Sequence, residues 1–332
     1  MRIDDVVVLV DPKSKRPLKL KPGYRLERNR IREGGLFEPI SGREFPVKNF
    51  IPRFVPEDNY AKSFGLEWNV HNRTQYDRES GTTLSEERFR KETAWGESLN
   101  GEVILEIGSG SGRFTREALK TGASVVSFDY SNAVDANFSQ NGHEDRLLLV
   151  QASVYEMPFP SDFFDKAFCF GVLQHTPNPK LAFMEIVRHV RRGGHVVSDI
   201  YRKGLFRWLL NTKYWVRPFT RSVDPRLMYG FVKRYVEFMW PIAKQVRKIP
   251  KIGPTINWRL LIADYSRQLP EASDAQLKEW AYLDTFDMLS PRYDQPQTHR
   301  EFESWHRQAG LEAIDVRFGY NGVQGRGIKG RT

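Results

Sequence analysis

The stretch that decides the fold is VILEIGSGSGRF, residues 103–114. An apolar run meets a glycine-rich turn, and glycines let a backbone turn tightly and approach a ligand with no Cβ in the way. A dinucleotide-binding loop would read G-x-G-x-x-G, whereas Gly108, Gly110 and Gly112 follow the spacing G-x-G-x-G. Glu106, two residues before the first glycine, would repel a pyrophosphate and suits a cation. The loop therefore favours a ligand that carries positive charge.

Apolar runs on either side of helical patterns extend this unit into an α/β fold. Further runs lie at 124–128, 147–150, 166–170 and 195–200, and a helix predicted over 179–191 ends at a Gly-Gly pair. Strands that alternate with helices predict βαβ units and a parallel sheet. Asp129 ends the second of these strands, where a carboxylate can accept hydrogen bonds from both ribose hydroxyls of an adenosine.

Together, these motifs resemble those of the class I S-adenosylmethionine (SAM)-dependent methyltransferases. Residues 106–112 look like the first motif of that family, and MPFPSDFFD (157–165) is similar to its approach to strand four. FGVLQHTPNP (170–179) resembles the loop after strand four, and RRGGH (191–195) the turn into strand five. The resemblance implies a Rossmann-like seven-stranded sheet with helices on both faces, a small β-rich N-terminal unit and a helical insertion.

The resemblance also implies a cofactor, SAM, that leaves as S-adenosylhomocysteine, and a set of residues that hold it. We expect Glu106 and the loop backbone to hold the methionine amine, Asp129 the ribose, and Ser153 the adenine, where family members often carry Asp. Val172 is expected beneath the sulfonium, although plain core packing explains it equally well. The expected cofactor-binding residues are Glu106, Gly108, Ser109, Gly110, Gly112, Asp129, Tyr130, Ser153, Val154, Gly171 and Val172.

Three residues are candidates for the chemistry of methyl transfer. His175 follows strand four, and an imidazole with an ordinary pKa near ~6.5 can take a proton from an acceptor; the alternative is a histidine that only orients its loop. SPRYDQP (290–296) resembles an acceptor-side segment of glycan- and lipid-type methyltransferases. Tyr293 and Asp294 are therefore expected to line the acceptor pocket, with Asp294 as a second candidate base.

The chain divides into five predicted regions: 1–57, a β-rich unit; 58–100, a linker or lid with a helix; 101–200, the SAM-binding core; 201–297, a basic helical insertion on the acceptor side; and 298–332, a helix and strands that complete the core. The first resembles a zinc ribbon without its cysteines, since Asp11, Ser14, Glu38 and Ser41 stand in the knuckle positions and the chain's one cysteine is Cys169. We expect no metal there, and a strand over 6–10.

The lid region, 58–100, is similar to a linker found in methyltransferases of surface-glycan gene sets. In such enzymes the segment before the first strand of the core folds over the cofactor. Trp68, Gln75 and Tyr76 are therefore candidate contacts to the cofactor or the acceptor, and an aromatic staple between domains is the alternative.

Positive charge is concentrated in one part of the chain. The net charge is +10, and residues 201–260 hold 14 Lys or Arg against two acids. Such a block suits a phosphorylated substrate, an anionic membrane or a nucleic acid, or is simply a solvated face. Prolines at 218, 225, 241, 250 and 254 predict short helical pieces there. The N-terminus lacks the pattern of a signal peptide, so we expect a cytoplasmic protein, associated with a membrane from the cytosolic side.

These observations predict an enzyme: a SAM-dependent methyltransferase whose acceptor is a small molecule, a glycan or a lipid-linked, phosphate-bearing molecule, in cell-surface polysaccharide biosynthesis. One alternative is an RNA methyltransferase, although the sequence contains no recognised RNA-binding module. Another is an NAD-dependent oxidoreductase, which the spacing of the glycines disfavours. A catalytically silent partner protein with the same fold is a third alternative, and an intact glycine loop argues against it.

Overall fold

The computed structural model describes residues 1–204 and 211–331. Its strands are β1 (Lys19–Leu20), β2 (Arg25–Glu27), β3 (Arg30–Phe37), β4 (Glu44–Lys48), β5 (Ile51–Pro52), β6 (Val103–Ile107), β7 (Ser124–Asp129), β8 (Leu147–Gln151), β9 (Phe164–Cys169), β10 (Val190–Ile200), β11 (Leu311–Gly319) and β12 (Gly322–Lys329). Its helices are α1 (Lys62–Val70), α2 (Asp77–Ser80), α3 (Leu84–Thr93), α4 (Arg113–Lys120), α5 (Ala133–Asn141), α6 (Pro179–His189), α7 (Lys213–Thr220), α8 (Pro225–Arg247), α9 (Gly253–Arg259), α10 (Asp274–Leu289) and α11 (His299–Gln308).

A seven-stranded sheet forms the centre, in the order β11-β12-β10-β9-β6-β7-β8. Strands β6 to β10 pair in parallel, and β12 runs antiparallel to both of its neighbours. The parallel strands are almost wholly buried, as expected where helices cover both faces. The order reverses at β6, which lies between β7 and β9, and ligands of open α/β sheets bind at the carboxyl ends of the strands at such a point. The α/β, Rossmann-like fold predicted from the sequence is confirmed.

The N-terminal unit is a separate antiparallel sheet in which β1, β3, β4 and β5 follow in order and β2 pairs with β3. The predicted strand over residues 6–10 is wrong, because Asp4–Val8 forms a 3₁₀ turn. The Asp5 carboxylate accepts a hydrogen bond from the Arg2 amide at 2.6 Å, which closes the chain into that turn. The unit contacts the core through Arg53, whose guanidinium donates to Gln151 on β8 at 2.9 Å.

The Gly-Gly pair at 193–194 lies inside a strand and does not end a helix. Helix α6 ends at His189, and β10 starts directly at Val190. The register of β10 against β9 shifts between Val190 and His195, and Gly193 has φ +74°. The pair therefore forms a bulge, for which a glycine with positive φ is well suited.

The basic insertion is more continuous than its prolines predict. Pro218 and Pro241 lie inside α7 and α8, while Pro225 occupies the first turn of α8, after the capping residue Asp224. Sequence analysis missed α10, although Ser273 begins it with a capping box. Helices α8 and α10 share a core of their own, which includes Val232, Val236, Trp240, Leu277 and Trp280. Helix α11 begins with the predicted capping box of Thr298 and Glu301.

Candidate functional site

A cavity of about 220 Å³ lies at the carboxyl ends of the central strands. We call its two walls the floor and the roof. The floor consists of the cavity-lining residues of the sheet and its loops, among them Gly108, Ser109, Gly110, Asp129, Tyr130, Ala152, Val154, Gly171, Val172 and His175. The roof comes from α1 and from the insertion, and includes Phe64, Glu67, Trp68, Tyr265, Trp280, Asp284 and Asp287.

The glycine loop is shaped by its neighbours as much as by its own conformation. Gly108, Gly110 and Gly112 have φ values of +73°, +51° and +93°. A Cβ on Gly108 would lie less than 3.0 Å from the side chain of Val172, and one on Gly112 equally close to Asn137. Gly108 and Gly110 line the cavity, whereas Gly112 faces α5 and lies outside the lining. Two of the three glycines are thus placed to contact a ligand.

Asp129 is fixed at the edge of the cavity by the loop itself. Its Oδ2 accepts a hydrogen bond from the Gly110 amide at 3.0 Å, and its Oδ1 accepts from the Ser131 amide and hydroxyl at 2.8 and 2.7 Å. Burial raises the pKa of the Asp129 carboxyl, and the hydrogen bonds from Ser131 and Gly110 oppose that rise. Each carboxylate oxygen accepts about two hydrogen bonds, so Oδ2 keeps capacity for a ligand hydroxyl.

Glu106 does not line the cavity, and the direct contact with a cofactor amine expected from the sequence does not fit its position. Its carboxylate is buried beneath the loop, where it accepts hydrogen bonds from Thr115 and, at 2.7 Å, from Ser127. Burial raises the pKa of Glu106 to about 7. The side chain ties β6 to α4 and β7, and so supports the loop from below.

The cofactor-binding residues predicted after β7 and β8 are divided between the cavity and its surroundings. Val154 and Tyr130 line the cavity, but Ser153 does not, because its hydroxyl accepts a hydrogen bond from the Tyr155 amide at 3.2 Å. Sequence analysis missed Tyr60, whose ring stacks on Tyr130 with the centroids 4.7 Å apart and which also lines the cavity. The lid region that carries Tyr60 gives no motif that singles it out.

Among the lid candidates, Trp68 and Gln75 line the cavity and Tyr76 does not. The Trp68 indole lies 3.2 Å from the position of a Cβ on Gly110, so it covers the loop. The Tyr76 hydroxyl donates to the carbonyl of Ser111 at 2.7 Å, which braces the loop from behind.

His175 is the predicted catalytic residue that the structure places at the cavity. Its Nδ1 lies 2.9 Å from the carbonyl oxygen of Tyr293, and its ring packs against Phe64 and Tyr201. Burial lowers the pKa of His175, which favours the neutral ring. Since a carbonyl only accepts, Nδ1 carries the proton in that form, and Nε2 is left as a proton acceptor.

Tyr293 and Asp294 lie beside the cavity and outside its lining. Asp294 is buried, with its Oδ2 at 2.9 Å from Lys213 Nζ and in an ion pair with Arg217. Burial acts to raise the pKa of Asp294, but Lys213 and Arg217 outweigh it and hold the pKa below its ordinary value. This geometry fits an anchor for the loop that carries the Tyr293 carbonyl better than it fits a base. Arg217 is a buried partner of that anchor and not a surface charge.

The roof contributes carboxylates that no sequence motif marks. Glu67 is 1% exposed, and its Oε2 has no hydrogen-bond partner within residues 1–204 and 211–331. In the same part of the chain, Oδ2 of the half-buried Asp284 also has no hydrogen-bond partner. Burial, together with Asp287 and Asp284, raises the pKa of Glu67 well above its ordinary value. Burial also raises the pKa of Asp284 to about 7, although a hydrogen bond with Tyr265 opposes it.

Two features are absent from the described residues: a helix that could span a membrane and a cluster of metal-ligating side chains. Within residues 1–204 and 211–331, no helix combines the length and apolar character that would cross a bilayer. In the same part of the chain, no three or more His, Cys, Asp or Glu side chains are grouped so that they could hold a metal ion.

The chain is similar to known methyltransferases over part of its length. Residues 105–198 match the family described as "Methyltransferase domain". An uncharacterised chloroplastic methyltransferase from Arabidopsis thaliana is 28% identical over 155 residues, 44% of this chain and 43% of that protein. Sterol 24-C-methyltransferase from Pneumocystis carinii is 29% identical over 161 residues, 46% of this chain and 37% of that protein. The chain thus spans about two-fifths of the length of these curated relatives.

Among solved structures, Haemonchus contortus phosphoethanolamine N-methyltransferase 2, in complex with phosphomonomethylethanolamine and S-adenosylhomocysteine, aligns with a TM-score of 0.45 and 14% identity. The alignment covers 78% of this chain and 46% of that one. SAM is the methyl donor of this kind of domain. Residues 105–198 therefore form a methyltransferase domain that lies within the seven-stranded sheet.

Proposed function

We propose that the protein is a SAM-dependent methyltransferase and that the cavity holds the donor on its floor. The observation that carries this proposal is the convergence of the glycine loop, Asp129 and Val172 on one cavity. A Cβ on Gly108 would overlap the side chain of Val172, so only glycine lets the loop lie this close to that side of the cavity. Asp129 would hold the ribose hydroxyls, and Tyr130 and Val154 would flank the adenine.

SAM supplies an activated methyl group when it is bound, and the chain's own residues would position the acceptor and remove its proton. Methyl transfer is accelerated mainly by holding the two reacting atoms in line, about 3–3.5 Å apart. His175 would accept the proton of the acceptor at Nε2, because its Nδ1 proton is engaged by the Tyr293 carbonyl. Lys213 and Arg217, through Asp294, would keep that carbonyl in place.

We propose further that the acceptor is a phosphate-bearing small molecule, glycan or lipid-linked molecule. An outer pocket lies beside the cavity and shares Tyr60 with it. Arg221 and Arg292 line this pocket, and neither forms an ion pair with a carboxylate of the described residues. Guanidinium groups without an ion pair are well suited to a phosphate, and the same pocket is also lined by Asp58 and Asp224. The similarity of segments 63–77 and 290–296 to those of surface-glycan methyltransferases supports a role in cell-surface polysaccharide assembly.

The outer face of α8 supports a lipid-linked acceptor at an anionic membrane. Leu227, Phe231, Phe238 and Ile242 form an exposed apolar stripe along that helix, and Phe238 is 75% exposed. Basic residues lie beside the stripe, among them Arg226, Arg234 and Lys248. A helix of this kind can rest in the interface of an anionic bilayer. The protein would then work at the cytosolic surface of a membrane.

The decisive experiment compares SAM and NADH as ligands of the same protein preparation. Calorimetry should show SAM and S-adenosylhomocysteine binding with one site per chain and no binding of NADH. Incubation with methyl-labelled SAM and separate fractions of cell-envelope lipids, glycans and total RNA should then transfer label to one lipid or glycan fraction. Binding of NADH in place of SAM would overturn the proposal in favour of an oxidoreductase, and label transfer to RNA alone would favour the RNA methyltransferase.

A further inference from the structure

The roof of the cavity is acidic and aromatic, and two of its carboxyl oxygens lack hydrogen-bond partners among the described residues. Glu67 from α1 and Asp284 from α10 each have a buried carboxylate oxygen with no hydrogen-bond partner in the described part of the chain. Asp287 lies one helical turn beyond Asp284 and lines the same cavity. Buried polar atoms in native proteins are nearly always satisfied, so unpaired oxygens that line a cavity point to a group supplied by a ligand.

The rings around these carboxylates suit a cation. Tyr201, Tyr265 and Trp280 line the cavity beside the three acids, and the Tyr265 and Trp280 rings are in contact with their centroids 4.6 Å apart. The faces of aromatic rings attract ammonium groups, most strongly where water is excluded. Carboxylates and ring faces together are the environment that stabilises an alkylammonium ion and offers nothing to an anion.

The arginine side chains that line the cavity do not neutralise the acids of the roof. Arg88 lines the cavity, but it is committed to ion pairs with Glu92 and Asp199. Arg113 also lines the cavity, at the N-terminus of α4 directly after the glycine loop. Arg113 interacts with Asp284, and a bound donor would add one sulfonium. The three acidic side chains Glu67, Asp284 and Asp287 would then face two cations.

We infer that the methyl-accepting group is an amine, held by Glu67, Asp284 and Asp287 within the ring faces of the roof. This inference rests on the proposed function and narrows its acceptor. The amine lone pair forms the N–C bond while the C–S bond of the donor breaks and its electron pair stays on sulfur. Before this step the bound ammonium gives one proton to His175 Nε2 or to water, which frees the lone pair, and the product is an alkylammonium ion. The roof would face a positive charge before the transfer, on the sulfonium of the donor, and after it, on the alkylammonium of the product.

The inference is compatible with a phosphate elsewhere on the acceptor. The outer pocket with Arg221 and Arg292 adjoins the cavity at Tyr60. An acceptor with an amine at one end and a phosphate at the other would place each charge against its complement.

The test uses choline as a probe of the cation site and 3,3-dimethyl-1-butanol as its neutral isostere, both titrated calorimetrically into the protein with and without S-adenosylhomocysteine. Choline should bind to the wild type and the alcohol should not. The double change Asp284→Asn/Asp287→Asn should weaken choline binding by about tenfold or more, since each lost charge interaction contributes on the order of 1 kcal/mol. Glu67→Gln should act in the same direction, and provides a second variant if the first does not fold.

The matched control is Glu271→Gln, an exposed acid outside the cavity, which should leave choline binding unchanged. S-adenosylhomocysteine affinity should change by less than about threefold in every variant. Equal binding of choline and the alcohol, or choline affinity that survives all three substitutions, would overturn the amine assignment. So would a loss of S-adenosylhomocysteine affinity parallel to that of choline, because the acids would then hold the cofactor's own ammonium. A wild type that binds neither SAM nor S-adenosylhomocysteine would instead remove the proposed function, while the choline series would still report on the roof.

Discussion

The floor and the roof of the cavity treat buried carboxylates in opposite ways. On the floor, Asp129 receives three hydrogen bonds from the backbone and a hydroxyl, and beneath it Glu106 receives two from hydroxyls. On the roof, Glu67 and Asp284 keep oxygens without partners in the described residues. A satisfied carboxylate is part of the scaffold, whereas an unsatisfied one costs stability until a ligand arrives. The carboxylates of the floor therefore have their hydrogen bonds before a ligand binds. We infer that the ligand supplies the partners that the carboxylates of the roof lack.

The largest effect should follow from breaking the floor. Gly108→Val should abolish SAM binding, because the new side chain would overlap Val172 and residue 108 has φ +73°. Residues branched at Cβ are strongly disfavoured at positive φ. Calorimetry with SAM is the measurement, and circular dichroism checks that the variant folds.

The matched control is Gly230→Ala in α8, where nothing lies within 4 Å of the added Cβ. It should bind SAM normally and gain roughly 0.5–1 kcal/mol in stability, since alanine is the better helix former. Normal SAM binding by a folded Gly108→Val protein would show that the loop does not form the floor.

Sequence reasoning could find the floor because its parts are local. The loop, the strand ends and Asp129 follow within a few elements of one another, and each has a spacing that the backbone geometry requires. The roof could not be found in this way, because Glu67 and Asp287 come from distant helices that meet only in the folded chain. Contacts also decided the roles of single residues. Sequence pattern placed Glu106 and Ser153 at the cofactor, and the packing turned both side chains elsewhere.

The acceptor-side segment illustrates the same limit. Its motif drew attention to Asp294, but only the fold shows that Lys213 and Arg217 neutralise this carboxylate. The basic side chains of the insertion therefore have two different roles. Some of its charges serve the interior, and others stay at the surface beside the apolar stripe of α8.

A smaller loss should follow from removing the satisfied carboxylate of the floor. Asp129→Ala should weaken SAM binding by roughly 2–3 kcal/mol, because two charge-assisted hydrogen bonds to the ribose are lost along with the support of the loop. Asp129→Asn retains one acceptor and should lose less. Calorimetry on folded variants measures both, and unchanged affinity in Asp129→Ala would remove Asp129 from the ribose site.

The scaffold role of Glu106 has its own signature in the pH dependence of stability. Its pKa is raised from 4.5 to about 7, so the folded state keeps a proton that the unfolded chain releases. This contribution to stability is complete below about pH 4.5 and is lost as the pH rises to 7. Glu106→Gln should therefore reduce the fall in unfolding free energy between pH 5 and pH 8 by about 2 kcal/mol.

Urea denaturation at the two pH values provides this measurement. Glu92 and Asp284, each with a pKa raised to about 7, act in the same direction, so the comparison is with wild type at each pH. Glu97→Gln, at a highly exposed site, is the control and should keep the wild-type slope. An unchanged slope in Glu106→Gln would mean that Glu106 is ionised in the fold.

Charge reversal on the exposed face of α8 should weaken membrane binding and leave SAM affinity unchanged. Arg226→Glu/Arg234→Glu should weaken binding to vesicles that contain phosphatidylglycerol by about tenfold, since each basic residue near an anionic surface contributes about 1 kcal/mol. SAM affinity should hardly change, because charges beyond about 10 Å are screened at ordinary salt. Sedimentation with vesicles and calorimetry with SAM provide the paired readout. Vesicle binding that survives both substitutions would reduce this surface to a solvated face.

The smallest expected effect is that of a chelator, and it extends the comparison to the N-terminal unit. The acids of its two turns accept hydrogen bonds from nearby amides: Asp11 Oδ1 accepts from the Lys13 and Ser14 amides, both at 2.8 Å, and Glu38 accepts from the Ser41 amide at 2.7 Å. Asp11 Oδ2 has no hydrogen-bond partner among the described residues. Arg43 lies 2.8 Å from Asp11, so a guanidinium stands against the buried acid at the position of a metal knuckle. Because backbone amides hold both carboxylates and a guanidinium balances the charge of Asp11, EDTA should leave the melting temperature unchanged. Asp11→Ala should cost about 2 kcal/mol through its lost hydrogen bonds and ion pair. Elemental analysis of the purified protein completes the test. Stoichiometric zinc, or melting that shifts with EDTA, would show that these turns need a cation after all.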